Sequence, residues 1–350
     1  MTLLRRMIAA VVMMLAPLVA TAQEITLRLH YFLPENSFVP AQILTPWADR
    51  IEAESGGRIK VERYPSMALG GRPADLVDQV TDGVADVVWT LPGYTPGRFP
   101  HTEVAELPFI SRDAGATSAA LWNLAQGWRD SDFRNLHPLG IWVHGPGVIH
   151  SARPVADLSD MAGLKLRAPS RAASMLLEKA GAAPVGMPAP AVPEALSKGV
   201  IDGALLPWEV TSSVRVQEFV KNHTEFEGPA IYNAVLMLVM NKGVYDRLPD
   251  DLKAVIDAAS GAAFSRHAGA IQQNADQPQR AETLASGGTI LTVGADQIEP
   301  WHALGDQVIA EWAAAARGFD GAALVAQARA AIAEAEAQGF GAPGVESVMP

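Results

Sequence analysis

From residue 25 onward, apolar positions recur in short runs of period two, separated by stretches with helical spacing. Ile25–Leu29 reads as a strand, Pro34-Glu-Asn-Ser37 as a loop, and Pro40–Ser55 as a helix stopped by Gly56-Gly57. Ile59–Tyr64 alternates in polarity and is a second strand. Leu69-Gly-Gly-Arg-Pro73 is a turn opening a helix through Val80, and Gly83 closes it before the strand Val84–Thr90. This β-α-β-α-β rhythm with short connections predicts a parallel or mixed sheet covered by helices.

A second cycle starts at Leu139–Val143 and continues through a strand at Leu164–Arg167, helices at Arg171–Ala180 and Val192–Ser197, and a strand at Ile201–Leu205. Ile231–Met240 is strongly apolar and predicts a buried strand running between lobes. Asp250 to Gln338 is mostly Ala-rich helix, interrupted by Gly287-Gly288 and the strand Thr289–Val293. Gln327–Ala337 reads as a solvated amphipathic helix and the last dozen residues as loose. No internal sequence repeat or low-complexity tract is present. The class is therefore α/β with two lobes, and the cleft between lobes is the expected ligand site.

The first 22 residues change the picture. Arg5 and Arg6 precede an apolar stretch from Met7 to Val19, and Ala20-Thr21-Ala22 supplies a cleavage pattern, so residues 1–22 read as a secretory leader. The expected compartment is the periplasm. Without Arg5 and Arg6 the chain keeps 25 basic against 38 acidic residues, a net charge of −13 over about 328 residues. A polyanionic nucleic acid is thus an unsuitable partner. The sequence holds no cysteine, which excludes disulfides, thiolate metal sites and a cysteine nucleophile.

Enzyme motifs are lacking. The eight histidines are scattered, and no GxSxG elbow, GxxxxGK[ST] loop or HExxH pair occurs. No cofactor is expected. Gly163-Leu-Lys-Leu-Arg-Ala-Pro-Ser170 instead offers a strand ending in a cation, Arg167, beside a break at Pro169. A guanidinium so placed suits a planar carboxylate, whose two oxygens match its fork of donors. An internal salt bridge is the alternative reading.

Tyr64-Pro-Ser-Met-Ala-Leu-Gly70, Asp82-Gly-Val-Ala-Asp86, Glu106-Leu-Pro-Phe109 and Gly163-Leu-Lys-Leu-Arg167 occur in order. Gly186-Met-Pro188, Ala195-Leu196, Gly199-Val-Ile-Asp-Gly203 and Asn241-Lys242 continue the series. Across about residues 25 to 260 the chain resembles the DctP-type solute receptors of tripartite ATP-independent periplasmic (TRAP) transporters. The resemblance implies two α/β lobes with mixed sheets, hinge strands and a long connecting helix, closing on an organic acid for delivery to membrane permease subunits, without catalysis. It implies lobe 1 at residues 23–145, with part of 232–290 returning to it. Lobe 2 is expected at 146–231 with a hinge-crossing strand, and C-terminal helices at 291–350 packed across both. A monomer is the expected state. A periplasmic sensor presenting the acid to a signalling receptor is the alternative function; an exported hydrolase or lyase is disfavoured by the missing motifs.

Arg167 matches the family's carboxylate-binding arginine, and Ser170 a position that supplies a polar contact. Leu91 and Leu206 stand where sugar-acid binders carry an acidic residue and an asparagine. A second arginine of some members maps to Gly147, and an aromatic to Ala189. Leucines cannot satisfy ligand hydroxyls, and an unsatisfied buried hydroxyl costs about 1–3 kcal/mol. Trp89, Trp208 and Tyr31 are candidate flat walls, with Trp89 alternatively a core residue. The expected ligand is a carboxylate with an apolar or aromatic body. Arg72, at a helix start, is a further candidate cation or else a solvent-exposed residue, and one side chain of His30–Phe32 is expected to face the cleft.

Overall fold

The protein is described by a computed structural model covering residues 25–338. The leader and the final dozen residues lie outside the described residues.

The first sheet is built from β1 (Ile25–Tyr31), β2 (Ile59–Tyr64) and β3 (Val87–Thr90), linked by α1 (Thr45–Glu54) and α2 (Leu76–Thr81). β1 pairs in parallel with both β2 and β3. After α3 (Ala114–Ala125) the chain adds β4 (Leu136–Val143), then leaves for the second sheet with β5 (Val148–Ser151). The second sheet continues with β6 (Lys165–Ala168), α4 (Arg171–Lys179), β7 (Ala183–Gly186), α5 (Val192–Ser197), β8 (Gly203–Leu206) and β9 (Asn222–Phe226). β10 (Val235–Asn241) then returns to the first sheet, giving the order β2-β1-β3-β10-β4. Its six apolar residues Val235–Met240 are all buried, as a strand in the interior of a covered sheet requires.

Beyond β10 come α6 (Lys242–Asp246), α7 (Asp250–Ala258), α8 (Gly261–Asn274) and α9 (Asp276–Ala285). Ala275 alone separates α8 from α9 and stays in the right-handed region, so the two form a nearly continuous rod. α8 packs on β4 of the first sheet, and α9 touches β11 (Thr289–Val293), the edge strand of the second. The second sheet has the order β11-β9-β5-β8-β6-β7. Finally α10 (Glu299–Ala315) packs on α4, and α11 (Gly321–Ala337) on α3.

The two sheets repeat one topology that the residues do not advertise. β2-β1-β3 corresponds to β7-β6-β8, and in each an antiparallel strand, β10 or β5, lies beside the third. An aspartate device repeats with it. Asp86 Oδ2 accepts the Arg28 N–H at 2.8 Å, and Asp202 Oδ2 accepts the Lys165 N–H at 2.9 Å. Each carboxylate thus satisfies a strand-edge amide just before its own strand begins.

Besides the helical stretch from β10 to β11, two short segments carry the chain between sheets, residues 144–147 and 227–234. The strand expected at Ile231–Met240 starts only at Val235, because 231–234 belong to this crossing. The crossings are fastened together: Gly147 N–H donates to Tyr232 O at 3.1 Å, Asn233 Nδ2 to His144 O at 2.6 Å, and Ala234 N–H to His144 Nε2 at 2.9 Å. β5 and β9 carry no alternation in the sequence, since each buries a histidine. His150 Nδ1 and His223 Nδ1 meet at 2.7 Å across the pair.

Candidate functional site

Arg167 sits near the carboxyl end of β6 and is only 2% exposed. Its Nε–H donates to Met187 O and an Nη1–H to Leu205 O, each at 2.9 Å. Two main-chain carbonyls therefore aim the guanidinium, and its remaining N–H groups lie toward the Tyr94 hydroxyl and the cavity. Among the described residues no Asp or Glu pairs with it. Burying a cation costs several kcal/mol unless an anion compensates it, so Arg167 is not part of an internal salt bridge and could hold an anion.

A cavity of about 420 Å³, counting its open side, lies against Arg167. Its first-lobe wall is aromatic: Phe32 stacks on Trp89 with centroids 4.5 Å apart, and Tyr94 meets Phe32 edge-on at 5.6 Å. Leu91, Leu206, Val39 and Leu236 complete an apolar lining. Tyr94 Oη accepts the Ala189 N–H at 3.0 Å, which leaves its own proton free for an anion held by Arg167. Burial raises the Tyr94 pKa, so that proton is retained at neutral pH. The lobes meet beside this wall. A side chain at Gly93 would come within 2.8 Å of Ser170 Cβ and 2.9 Å of Pro169 O, so only glycine permits the approach.

Three further polar side chains, His144, Glu209 and Gln272, reach the cavity from elsewhere. His144 has both nitrogens engaged, since Ala234 N–H donates to Nε2 and the Nδ1–H is thereby assigned to Gly145 O at 2.6 Å. Burial lowers its pKa to about 4, so the ring is neutral. Glu209 Oε2 accepts from Gln272 Nε2 at 2.8 Å, and Gln272 Oε1 accepts from Trp142 Nε1 at 2.9 Å. Burial pushes the Glu209 carboxyl up to about 7.

Residues 30–315 match the family model for the bacterial extracellular solute-binding protein, family 7, or DctP. The chain belongs to the DctP family. Among solved relatives, a TRAP solute-binding protein from Rhodoferax ferrireducens, in complex with copurified benzoate, is 44% identical; the match covers 90% of this chain and 99% of that one, with a TM-score of 0.88. A marine metagenome TRAP solute-binding protein specific for aromatic acid ligands, in complex with 3-hydroxybenzoate, is 42% identical with the same coverage and TM-score. A Bordetella bronchiseptica TRAP protein with bound (R)- and (S)-mandelate is 30% identical, covering 89% of this chain and 99% of that one, with a TM-score of 0.82. The expected two-lobe DctP architecture is thus the observed one.

Within this DctP fold the expected site residues divide. Arg167, Trp89, Leu91 and Leu206 line one cavity, with Ala189 at its edge. Trp89 also belongs to the first lobe's core, so both readings of it apply. Ser170 adjoins this region but serves first as the N-cap of α4, its Oγ accepting the Ala173 N–H at 3.4 Å. It also faces Glu106, whose carboxyl burial pushes up to about 8 against the pull of the Val235 N–H and the Ser170 hydroxyl.

Three expectations are corrected. Trp208 is outside the lining; it packs edge-on against His150 and donates from Nε1 to Glu225 Oε1 at 2.7 Å, because a buried indole N–H needs an acceptor and finds it inside the second lobe. Tyr31 is fully buried outside the lining, and Phe32, the first residue past β1, lines the cavity in its place. Arg72 is an exposed helix-start residue paired with Asp75. The second arginine lost at Gly147 has a steric cause, since any Cβ there would overlap the Tyr232 ring. Tyr94, His144, Glu209 and Gln272 were not singled out by the sequence.

Proposed function

We propose that this protein captures an aromatic monocarboxylate in the interlobe cavity and presents it, in the periplasm, to the membrane subunits of a TRAP transporter. The observation that carries this reading is the pairing of Arg167, buried and without an anionic partner, with the stacked wall of Phe32, Trp89 and Tyr94. A carboxylate can take the cavity face of the guanidinium and the Tyr94 proton together, and a flat ring can lie against the wall. Contacts of this kind strengthen as closure excludes water.

The apolar lining opposes ligands rich in hydroxyls, which would lose hydration without replacement. The solved relatives with benzoate, hydroxybenzoate and mandelate support the same class. Family membership supports the permease partner, and the leader-like N-terminus supports the compartment; among the described residues no helix is long and apolar enough to cross a membrane. Calorimetry against benzoate, mandelate, gluconate and sialic acid tests the ligand class. Binding of the two aromatic acids alone is expected, and binding of a sugar acid without response to either aromatic acid would reject it.

A further inference from the structure

Glu209 occupies a position the carboxylate grip does not use. It stands three residues beyond β8, is 2% exposed, and lines the same cavity as Arg167. One of its oxygens, Oε2, is taken by Gln272; the other, Oε1, is buried with no protein partner among the described residues. The α8–α9 rod holds residue 209 through its side chain at Gln272 and through its main chain at Asp276. The Glu209 N–H donates to Asp276 Oδ1 at 2.8 Å, and Gln272, itself lining the cavity, is fixed by Trp142. The cavity thus has one cationic station, Arg167, and one acidic station, Glu209, in a lining that is otherwise mostly apolar and aromatic.

An orphaned carboxyl oxygen in an otherwise greasy pocket is costly unless the ligand completes it. Nothing in the gripping of benzoate itself would do so. A second anionic group is excluded at this station, because Glu209, Asp276 and Glu225 already place acidic groups in one neighbourhood. A hydrogen-bond donor without charge is the group that fits, and its bond to Oε1 would favour the ionised carboxyl.

We infer that Glu209 is a specificity-determining residue, and that the preferred ligand is an aromatic acid carrying a hydroxyl that donates to Glu209 Oε1 while its carboxylate rests on Arg167. This deepens the aromatic-acid reading and rests on it. A site that holds a buried acceptor for a ligand hydroxyl discriminates against the analogue lacking it, because the acceptor is then left unpaired.

The test is calorimetric titration of the full mature chain with benzoate, the three hydroxybenzoates and mandelate, for the wild type, Glu209→Gln and Glu209→Leu. Wild type is expected to bind at least one hydroxylated acid about tenfold or more tighter than benzoate. Glu209→Leu should erase that margin while keeping benzoate affinity within a few-fold, and Glu209→Gln, which retains an acceptor and fills the same volume, should recover part of it. Benzoate bound as tightly as every hydroxylated acid, or a margin that survives Glu209→Leu, would overturn the inference and leave the aromatic-acid reading standing. Failure of all these acids to bind would overturn both.

Discussion

Arg171 Nη2 lies 2.9 Å from Glu103 Oε2, joining the first turn of α4 in the second lobe to the first lobe. The same carboxylate oxygen accepts the indole N–H of Trp312, on α10, at 2.8 Å. Glu103 is nearly buried, whereas the Arg171 side chain is 40% exposed. The pair therefore fastens the lobes without the desolvation cost of a fully buried bridge, and its strength is that of a partly screened contact.

Arg171→Ala is expected to weaken ligand affinity several-fold, chiefly through faster dissociation, since the lobes would separate more readily. Stopped-flow tryptophan fluorescence reads this directly. An unchanged dissociation rate would show that the latch contributes nothing to holding the closed form.

Arg167 answers to a different balance. Arg167→Met should reduce affinity for any carboxylate ligand at least a hundredfold, about 3 kcal/mol, because the acid group would be desolvated without a counter-charge. The ligand-free variant should nonetheless melt no lower than the wild type, since an uncompensated buried cation has been removed. Arg167→Lys should also fail to bind, because an ammonium cannot satisfy Met187 O and Leu205 O and still present a planar fork. Retained affinity in either variant would place the anion elsewhere.

Trp208→Phe separates wall from scaffold. It keeps the ring against His150 but loses the N–H bond to Glu225, which Arg280 also holds. Ligand affinity should stay within about threefold while stability falls by about 1–2 kcal/mol in chemical denaturation. A large loss of affinity at full stability would return Trp208 to the site.

At Gly147 even a methyl group has no room. Gly147→Ala should destabilise the protein by about 1–3 kcal/mol through overlap with the buried Tyr232 ring. Gly147→Arg should not recreate a second anion grip unless Tyr232 is also reduced to a small residue, a comparison that thermal melts and titration of the single and double variants would decide.

Stability should pass through a maximum with pH. Glu106 and Glu209 hold protons up to about 8 and 7, whereas the unfolded chain releases them near 4.5; the native state binds more protons in that window, so stability falls as pH rises through it. His144, His150 and His223 refuse protons until about 4, 3 and 4, whereas the unfolded chain takes them up below 6.5, so stability falls as pH drops below that value. Thermal midpoints of the ligand-free protein should therefore peak between about pH 5 and 6.5. A midpoint rising steadily to pH 8 would contradict the burial of the two carboxyls.

The sequence made the β-α-β-α-β frame and the strand-end position of Arg167 readable because both rest on local signals, namely strand period, helix stops and a chain break at Pro169. The lining was less readable. Tyr94 stands in a short Pro-Gly-Tyr loop without periodicity, and only its place just past the end of β3 hints at a cleft. Glu209 looks like an ordinary surface carboxylate until Gln272, 63 residues on, is seen to take one of its oxygens. Trp208 misled for a similar reason: an aromatic after a proline suggests a cleft, but its N–H partner, Glu225, lies 17 residues away on β9. The duplicate topology of the lobes left no trace except the two aspartates, since sheet order is fixed by packing and tolerates wide changes in residue identity.

Because Met187 and Leu205 orient the guanidinium through carbonyl groups of the main chain, the identity of their side chains does not enter. The walls opposite can be rewritten by point substitution without disturbing the charged anchor. Such a receptor is free to drift from one acid to another through single replacements, each intermediate still able to seize a carboxylate.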